Sequence, residues 1–214
     1  VQTCALPIYK SHYFVTNNND MTCTLEDPFV LIVDKRLNQV KELLPILEGV
    51  SSTGKSLLIV AEDVDGEVLS TLIVNKMRGT IKVAAVKAPD FGERRTLILE
   101  DLAILTGGQV ISKSKGHKLD KLTPIQLVEM FGKARTATVA KETTTIVDGN
   151  GAVEAITARA EEIKDQIEKA TSFYEKEKLQ ERLGKLVGGV AIISVGGNSD
   201  IEIKERKDRV EDAL

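Results

Sequence analysis

Tryptophan is absent from the 214 residues, and aromatic side chains make up only 4% of the chain, so any local gathering of aromatics stands out. Two cysteines, Cys4 and Cys23, lie in unlike surroundings with no Cys-x-x-Cys pair. That pattern points to neither a disulfide framework nor a thiolate metal site and fits a reducing compartment. His12 and His117 are the only histidines, and neither a His-Glu-x-x-His nor a Gly-x-Ser-x-Gly pattern occurs, so no local motif nominates a metal centre or a nucleophile with its base. The formal charge is only -3, with acidic and basic residues interspersed. Such a chain carries no single-sign field to recruit nucleic acid or an anionic membrane, and neither is expected as a partner. No apolar run approaches the roughly 20 residues needed to cross a bilayer. The opening Val-Gln-Thr-Cys-Ala-Leu-Pro-Ile lacks the basic region and long apolar stretch of a secretory signal, so the expected location is the cytoplasm.

What is present suits a folded domain: 42% hydrophobic and 29% charged residues, with 16 Gly and 5 Pro. From Pro28 to Ser112 short β-branched runs alternate with helical periodicity. The pattern predicts strands over 29–33, 57–60 and 81–86, and helices over 37–50, 65–77 and 94–105. Gly79 and Gly107-Gly108 are placed to stop the second and third helices, the latter before a strand at Val110-Ile111. Thr123-Pro124-Ile125-Gln126 combines an N-cap threonine, a first-turn proline and a glutamine able to reach back, which predicts a short helix through Met130. Threonine-rich strands are expected over 136–139 and 143–147, ending at Asp148-Gly149-Asn150-Gly151. Val153, Ile156, Ala160, Ile163, Ile167 and Ala170 then form one helical stripe, and Leu179, Leu183 and Leu186 a second. Ser172 with Glu175 reads as a capping box between them, so the two helices are expected to form an antiparallel hairpin ended by Gly188-Gly189. After a strand over 190–195, Gly196-Gly197-Asn198 marks a candidate domain boundary before a charged final segment. That segment reads as a helix without its neighbours, the mark of a piece cut from a longer chain.

Gly49-Val50-Ser51-Ser52-Thr53-Gly54-Lys55-Ser56 has the full phosphate-loop spacing, and Glu62-Asp63 imitates a magnesium-binding strand end. Phosphate capture, however, needs a strand entering the loop and a helix leaving it, because the helix N-terminus supplies the positive end. Here the loop follows a helix and runs into a strand, so a nucleotide hydrolase is the alternative reading rather than the favoured one.

Two helices carry more apolar surface than one buried face needs. Leu37, Val40, Leu43, Leu44, Ile46, Leu47 and Val50 spread over half the circumference of the first, and Val68, Leu69, Leu72, Ile73 and Val74 nearly encircle the second. The residue pattern leaves two readings open: central helices covered on all sides, or helices with an exposed patch that takes a protein partner. Tyr9, Tyr13 and Phe14 pose the same choice, with anchoring in the core as the plain one.

The run Val60-Ala61-Glu62-Asp63-Val64-Asp65-Gly66-Glu67-Val68-Leu69-Ser70-Thr71-Leu72 closely resembles bacterial-type chaperonins, the GroEL family. So do Asn75-Lys76-Met77-Arg78-Gly79, Val86-Lys87-Ala88-Pro89, Ile104-Leu105-Thr106-Gly107-Gly108, Thr143-Thr144-Thr145-Ile146, the stretch from Tyr174 to Arg182, and Arg209-Val210-Glu211-Asp212-Ala213-Leu214. The resemblance implies an α/β fold with a β-rich core flanked by helices, of the swivelling β/β/α type. It implies an apical domain over 9–189, a partial intermediate domain over 190–214, an unmatched segment over 1–8, and no equatorial domain. It further implies that Tyr9, Tyr13, Phe14, Leu44, Leu47, Leu69, Ile73, Val74 and Asn75 hold non-native polypeptides and the co-chaperonin lid within a homo-oligomeric ring. Gly188 and Gly189 match the family's hinge. Asp212 matches its catalytic aspartate, which acts only where an equatorial domain holds ATP and magnesium, so no cofactor, metal or enzymatic activity is expected of these residues alone. Burial of apolar area is non-directional, and this is the chemistry that suits clients of arbitrary sequence. The chain departs from the family pattern at Asp90, where glycine is usual, at His12, where proline is usual, and in the basic run from Lys113 to His117.

Overall fold

Uninterrupted aliphatic runs form the strands that are buried on both faces. In the computed structural model, which describes residues 14–16, 21–112, 114, 116–117, 119–140, 143–188, 199, 201–202, 204–206 and 209, these are β2 (Phe29–Leu37), β3 (Leu57–Val64) and β4 (Val83–Lys87). They follow a short first strand, β1 (Cys23–Glu26). Parallel neighbours cannot be joined by a tight turn. Helices α1 (Val40–Ser51) and α2 (Gly66–Met77) supply the crossovers from β2 to β3 and from β3 to β4. Helix α3 (Gly92–Thr106) then carries the chain back to β5 (Val110–Ser112), which pairs in parallel with the other edge of β2. The order β4-β3-β2-β5 steps one way twice and then reverses, so right-handed crossovers put α1 and α2 on one face of the sheet and α3 on the other.

A 3-10 turn (Leu119–Lys121) and α4 (Pro124–Met130) lie against α1. Strand β6 (Gly132–Val139) begins antiparallel to Phe29 and Val30 at the edge of β2, then pairs antiparallel with β1 and with β7 (Thr144–Gly149). One seven-stranded sheet results among the described residues, parallel at one end and antiparallel at the other. Helices α5 (Val153–Lys169) and α6 (Phe173–Val187) pack on each other and on α3. The α/β class read from the sequence is the one observed.

Local signals act where the chemistry is complete. Thr123 Oγ1 accepts from the Gln126 amide at 3.3 Å and the Gln126 side chain accepts from the Thr123 amide at 3.0 Å, so both halves of the capping box close. Ser172 makes no side-chain cap, contrary to expectation; only its carbonyl serves α6, accepting from the Lys176 amide at 3.0 Å. Gly107 ends α3 at φ 70°. Asp90 stands at φ 63°, where glycine is at ease, and its carboxylate accepts from the Phe91 amide at 2.9 Å, so the tight turn forms with aspartate in place. Strand β1 was not anticipated: four residues are too few to show a period, and pairing with β6 makes the strand. Gly188 follows α6 in an extended conformation, while Gly189 and most of 190–214 lie outside the described residues.

Two seams join the layers. A Cβ on Gly108 would sit 2.4 Å from the Gly132 nitrogen, and one on Gly132 would sit 2.1 Å from Thr106 Oγ1. The end of α3 and the starts of β5 and β6 therefore meet backbone to backbone. On the helical side, Asp101 of α3 is buried and accepts from Arg182 Nε at 2.8 Å, Arg182 Nη2 at 3.0 Å and Arg159 Nε at 2.8 Å. One carboxylate thus ties α3 to both helices of the hairpin. Arg159 has Glu162 as well, at 2.8 Å, whereas Arg182 depends on Asp101. Asp101→Ala strands the buried Arg182 charge, and a loss of about 3–5 kcal/mol in urea unfolding is expected.

Candidate functional site

Helices α1 and α2 lie side by side, and each divides into a buried stripe and an open one. In α1, Leu43, Ile46, Leu47 and Val50 face inward, while Leu44 is 51% exposed. In α2, Val68 and Leu72 are buried, Leu69 and Ile73 are half-buried against the core, and Val74 is 43% exposed. Met77, the last residue of α2 and one turn beyond Val74, is 75% exposed. The structure therefore brings Leu44, Val74 and Met77 to the surface of two neighbouring helices, with Leu69 and Ile73 partly covered. Asn75 is half-buried, and its Nδ2 donates to the Thr71 carbonyl at 2.8 Å, so this donor is committed within its own helix.

Two of the expected contact residues are not on that surface. Leu47 is 8% exposed, because it falls on the side of α1 that meets the core. Phe14 is fully buried, and Lys76 Nζ, 5.9 Å from its ring centroid, donates to the Val15 carbonyl at 3.2 Å. Thr16 continues the clamp: its amide donates to the Thr22 carbonyl at 2.9 Å and its hydroxyl accepts from the Thr24 amide at 3.2 Å. This is the plain core-anchoring role for Phe14. Burial pushes the neighbouring Cys23 thiol up, against the pull of Lys76, and burial pushes the Lys76 ammonium down. Tyr9, Tyr13, Gly189 and Asp212 lie outside the described residues.

The phosphate-loop sequence folds as the end of a helix. The amides of Ser52, Thr53 and Gly54 donate to the carbonyls of Glu48, Val50 and Ser51, at 3.2, 3.0 and 3.4 Å. They are engaged by the negative end of α1, the wrong pole for phosphate. Lys55 Nζ bonds Asp27 at 2.7 Å and lies 5.3 Å from the Phe29 ring centroid. Glu62 pairs with Arg95 at 3.1 Å, and Asp63 with Arg36 at 3.6 Å.

In open parallel sheets ligands favour the crevice beyond the carboxyl ends of the strands, where the strand order reverses. Here that point lies between β2 and β5. Asp34, in the carboxyl-terminal half of β2, accepts from Arg95 Nε at 3.0 Å and from Thr96 Oγ1 at 2.7 Å, and Lys35 bonds Glu42. A polar cavity of about 370 Å³ beside them is lined by Asp34, Lys35, Arg36, Glu42 and Glu62, charges that answer one another. Sequence reading missed this knot, since its members are scattered over 34–96. It missed Met77 because helical periodicity alone does not say where α2 leaves the core. Among the described residues no group of three His, Cys, Asp or Glu side chains is placed to hold a metal ion, and no helix is long and apolar enough to cross a membrane.

Compared with protein-family models, the chain matches none.

Substitution separates the exposed residues from the buried ones. Leu44→Ser and Val74→Ser are expected to leave urea-unfolding stability within about 0.5 kcal/mol. Leu47→Ser, which empties a core position and buries a hydroxyl, is expected to cost about 2–5 kcal/mol.

Proposed function

We propose that this chain is the polypeptide-binding module of a chaperonin, one that grips non-native proteins through the apolar residues left open on α1 and α2. The observation that carries the reading is the exposure of Leu44, Val74 and Met77 on two adjacent helices. An open aliphatic patch on a rigid support binds by burying area, without a demand for a particular client sequence. The resemblance of these segments to the GroEL family supports the same conclusion. In this reading Leu44, Val74 and Met77 touch the client first, Leu69 and Ile73 form the floor, and Leu47 and Phe14 hold that floor from beneath.

The same surface would receive a co-chaperonin lid. A homo-oligomeric ring would turn weak single contacts into tight capture, because each further contact is made at high effective concentration. ATP and magnesium enter only through an equatorial domain, outside these residues, where Asp212 would take its family role. The competing reading, a nucleotide hydrolase at residues 49–56, has only the spacing of its motif to support it.

The test is the suppression of aggregation of a chemically unfolded protein by the purified chain, run beside an ATP hydrolysis assay. Capture is expected to be weak for the single chain, to strengthen when several copies are tethered together, and to fall for Leu44→Ser and Val74→Ser with the circular dichroism unchanged. ATP hydrolysis abolished by Lys55→Ala would overturn this reading in favour of the hydrolase.

A further inference from the structure

The chain has three methionines, Met21, Met77 and Met130, and they differ sharply in surroundings. Met130 is half-buried against the core, Met21 is 42% exposed just before β1, and Met77 is 75% exposed at the end of α2. Met77 is three residues past Val74 and four past Ile73, so its side chain continues the open stripe of α2 by one more turn. A flexible thioether at the rim of an apolar surface is well suited to clients of varied shape. It is also the side chain there that a peroxide can convert from apolar to polar.

We infer that Met77 is an oxidation site through which hydroperoxides weaken the grip of the α1–α2 surface reversibly. The inference rests on the binding reading given above. A lone pair of the Met77 sulfur attacks one oxygen of the peroxide and the O–O bond breaks as the S–O bond forms. The departing oxygen takes up a proton and leaves as water or an alcohol. Sulfur loses two electrons and the peroxide gains them, so no other co-reactant is needed. The sulfoxide is a strong hydrogen-bond acceptor, and covering it with an apolar client segment strips it of water without a replacement donor. A thiol-dependent sulfoxide reductase reverses the step, forming a disulfide and water.

The neighbouring groups favour Met77 as the responsive one. Cys23, the other sulfur near the end of α2, is buried and its thiol is pushed up, so it is held in the protonated form that reacts slowly. Lys76 turns its ammonium toward the Val15 carbonyl and leaves the thioether of the next residue open.

The experiment exposes the whole chain to hydrogen peroxide, follows each methionine by peptide mass spectrometry, and measures capture of a reduced, carboxymethylated protein that stays unfolded. Met77 is expected to convert well ahead of Met130. Capture is expected to drop roughly tenfold as Met77 converts, as the loss of one apolar contact and the desolvation of a polar group imply. Circular dichroism should not change, and the two sulfoxide reductases together should restore capture. Met77→Leu, read against its own untreated level, is expected to lose nothing on peroxide treatment. Full conversion of Met77 with capture unchanged, or an equal loss in Met77→Leu, overturns the switch while leaving the binding reading in place. Absence of capture by untreated protein overturns the binding reading itself, and the switch with it.

Discussion

Strand β2 is covered above and below and hydrogen-bonded along both edges, and keeping it dry dictates where the other elements go. Its Phe29–Val33 run is buried throughout, with β3 along one edge and β5 and β6 sharing the other. Aliphatic side chains on both faces of a parallel strand require helices on both sides. The reversal of strand order assigns α1 and α2 to one side and α3, backed by the α5–α6 hairpin, to the other. The two sides are finished differently. The far side is closed by α5 and α6 and fixed by Asp101 between its two arginines. Among the described residues the near side has the 3-10 turn and α4 over α1, and residues 14–16 beside Lys76 near the end of α2.

This asymmetry explains why surplus apolar residues on α1 and α2 are of interest while those on α3 are not. A helix that serves one sheet face needs a single stripe, and the remainder must be covered by a neighbour or left open. Leu99 and Leu102 of α3 are buried. Leu44 and Val74 are left 51% and 43% exposed. The same physics accounts for Leu47, which projects only a fraction of a turn away from Leu44 and yet belongs to the core. With an apolar arc this wide, a modest rotation decides which leucine is inside.

Much of the α/β layout was legible because each element carried its own local signal. Aliphatic runs marked β2 to β4, Gly107 stopped α3, Thr123 with Gln126 started α4, and the two stripes of Ile and Leu announced the α5–α6 hairpin. What escaped depended on partners distant in sequence. Strand β1 exists through its pairing with β6. The Ser172 capping box failed although the residue types were right, since side-chain orientation at a helix start is settled by packing as well as by spacing. Asp101 could not be distinguished from any other helical carboxylate until Arg159 and Arg182, 58 and 81 residues away, were folded against it. The site shows the same division. Sequence named the two helices, and the third dimension was needed to sort Leu44 and Val74 from Leu47 and Phe14.

The glycine contact between the α3–β5 link and the start of β6 has a bearing on how such a chain can be recombined. Gly108 and Gly132 leave no space for a methyl group between two backbones, and Thr106 occupies the remaining gap. The three positions form a lock whose parts come from separate stretches of the gene. A chimaera with a crossover between 106 and 132 inherits a working seam only when both parents carry glycine at the two sites. A crossover within the exposed turn at 52–55 has no such condition to meet.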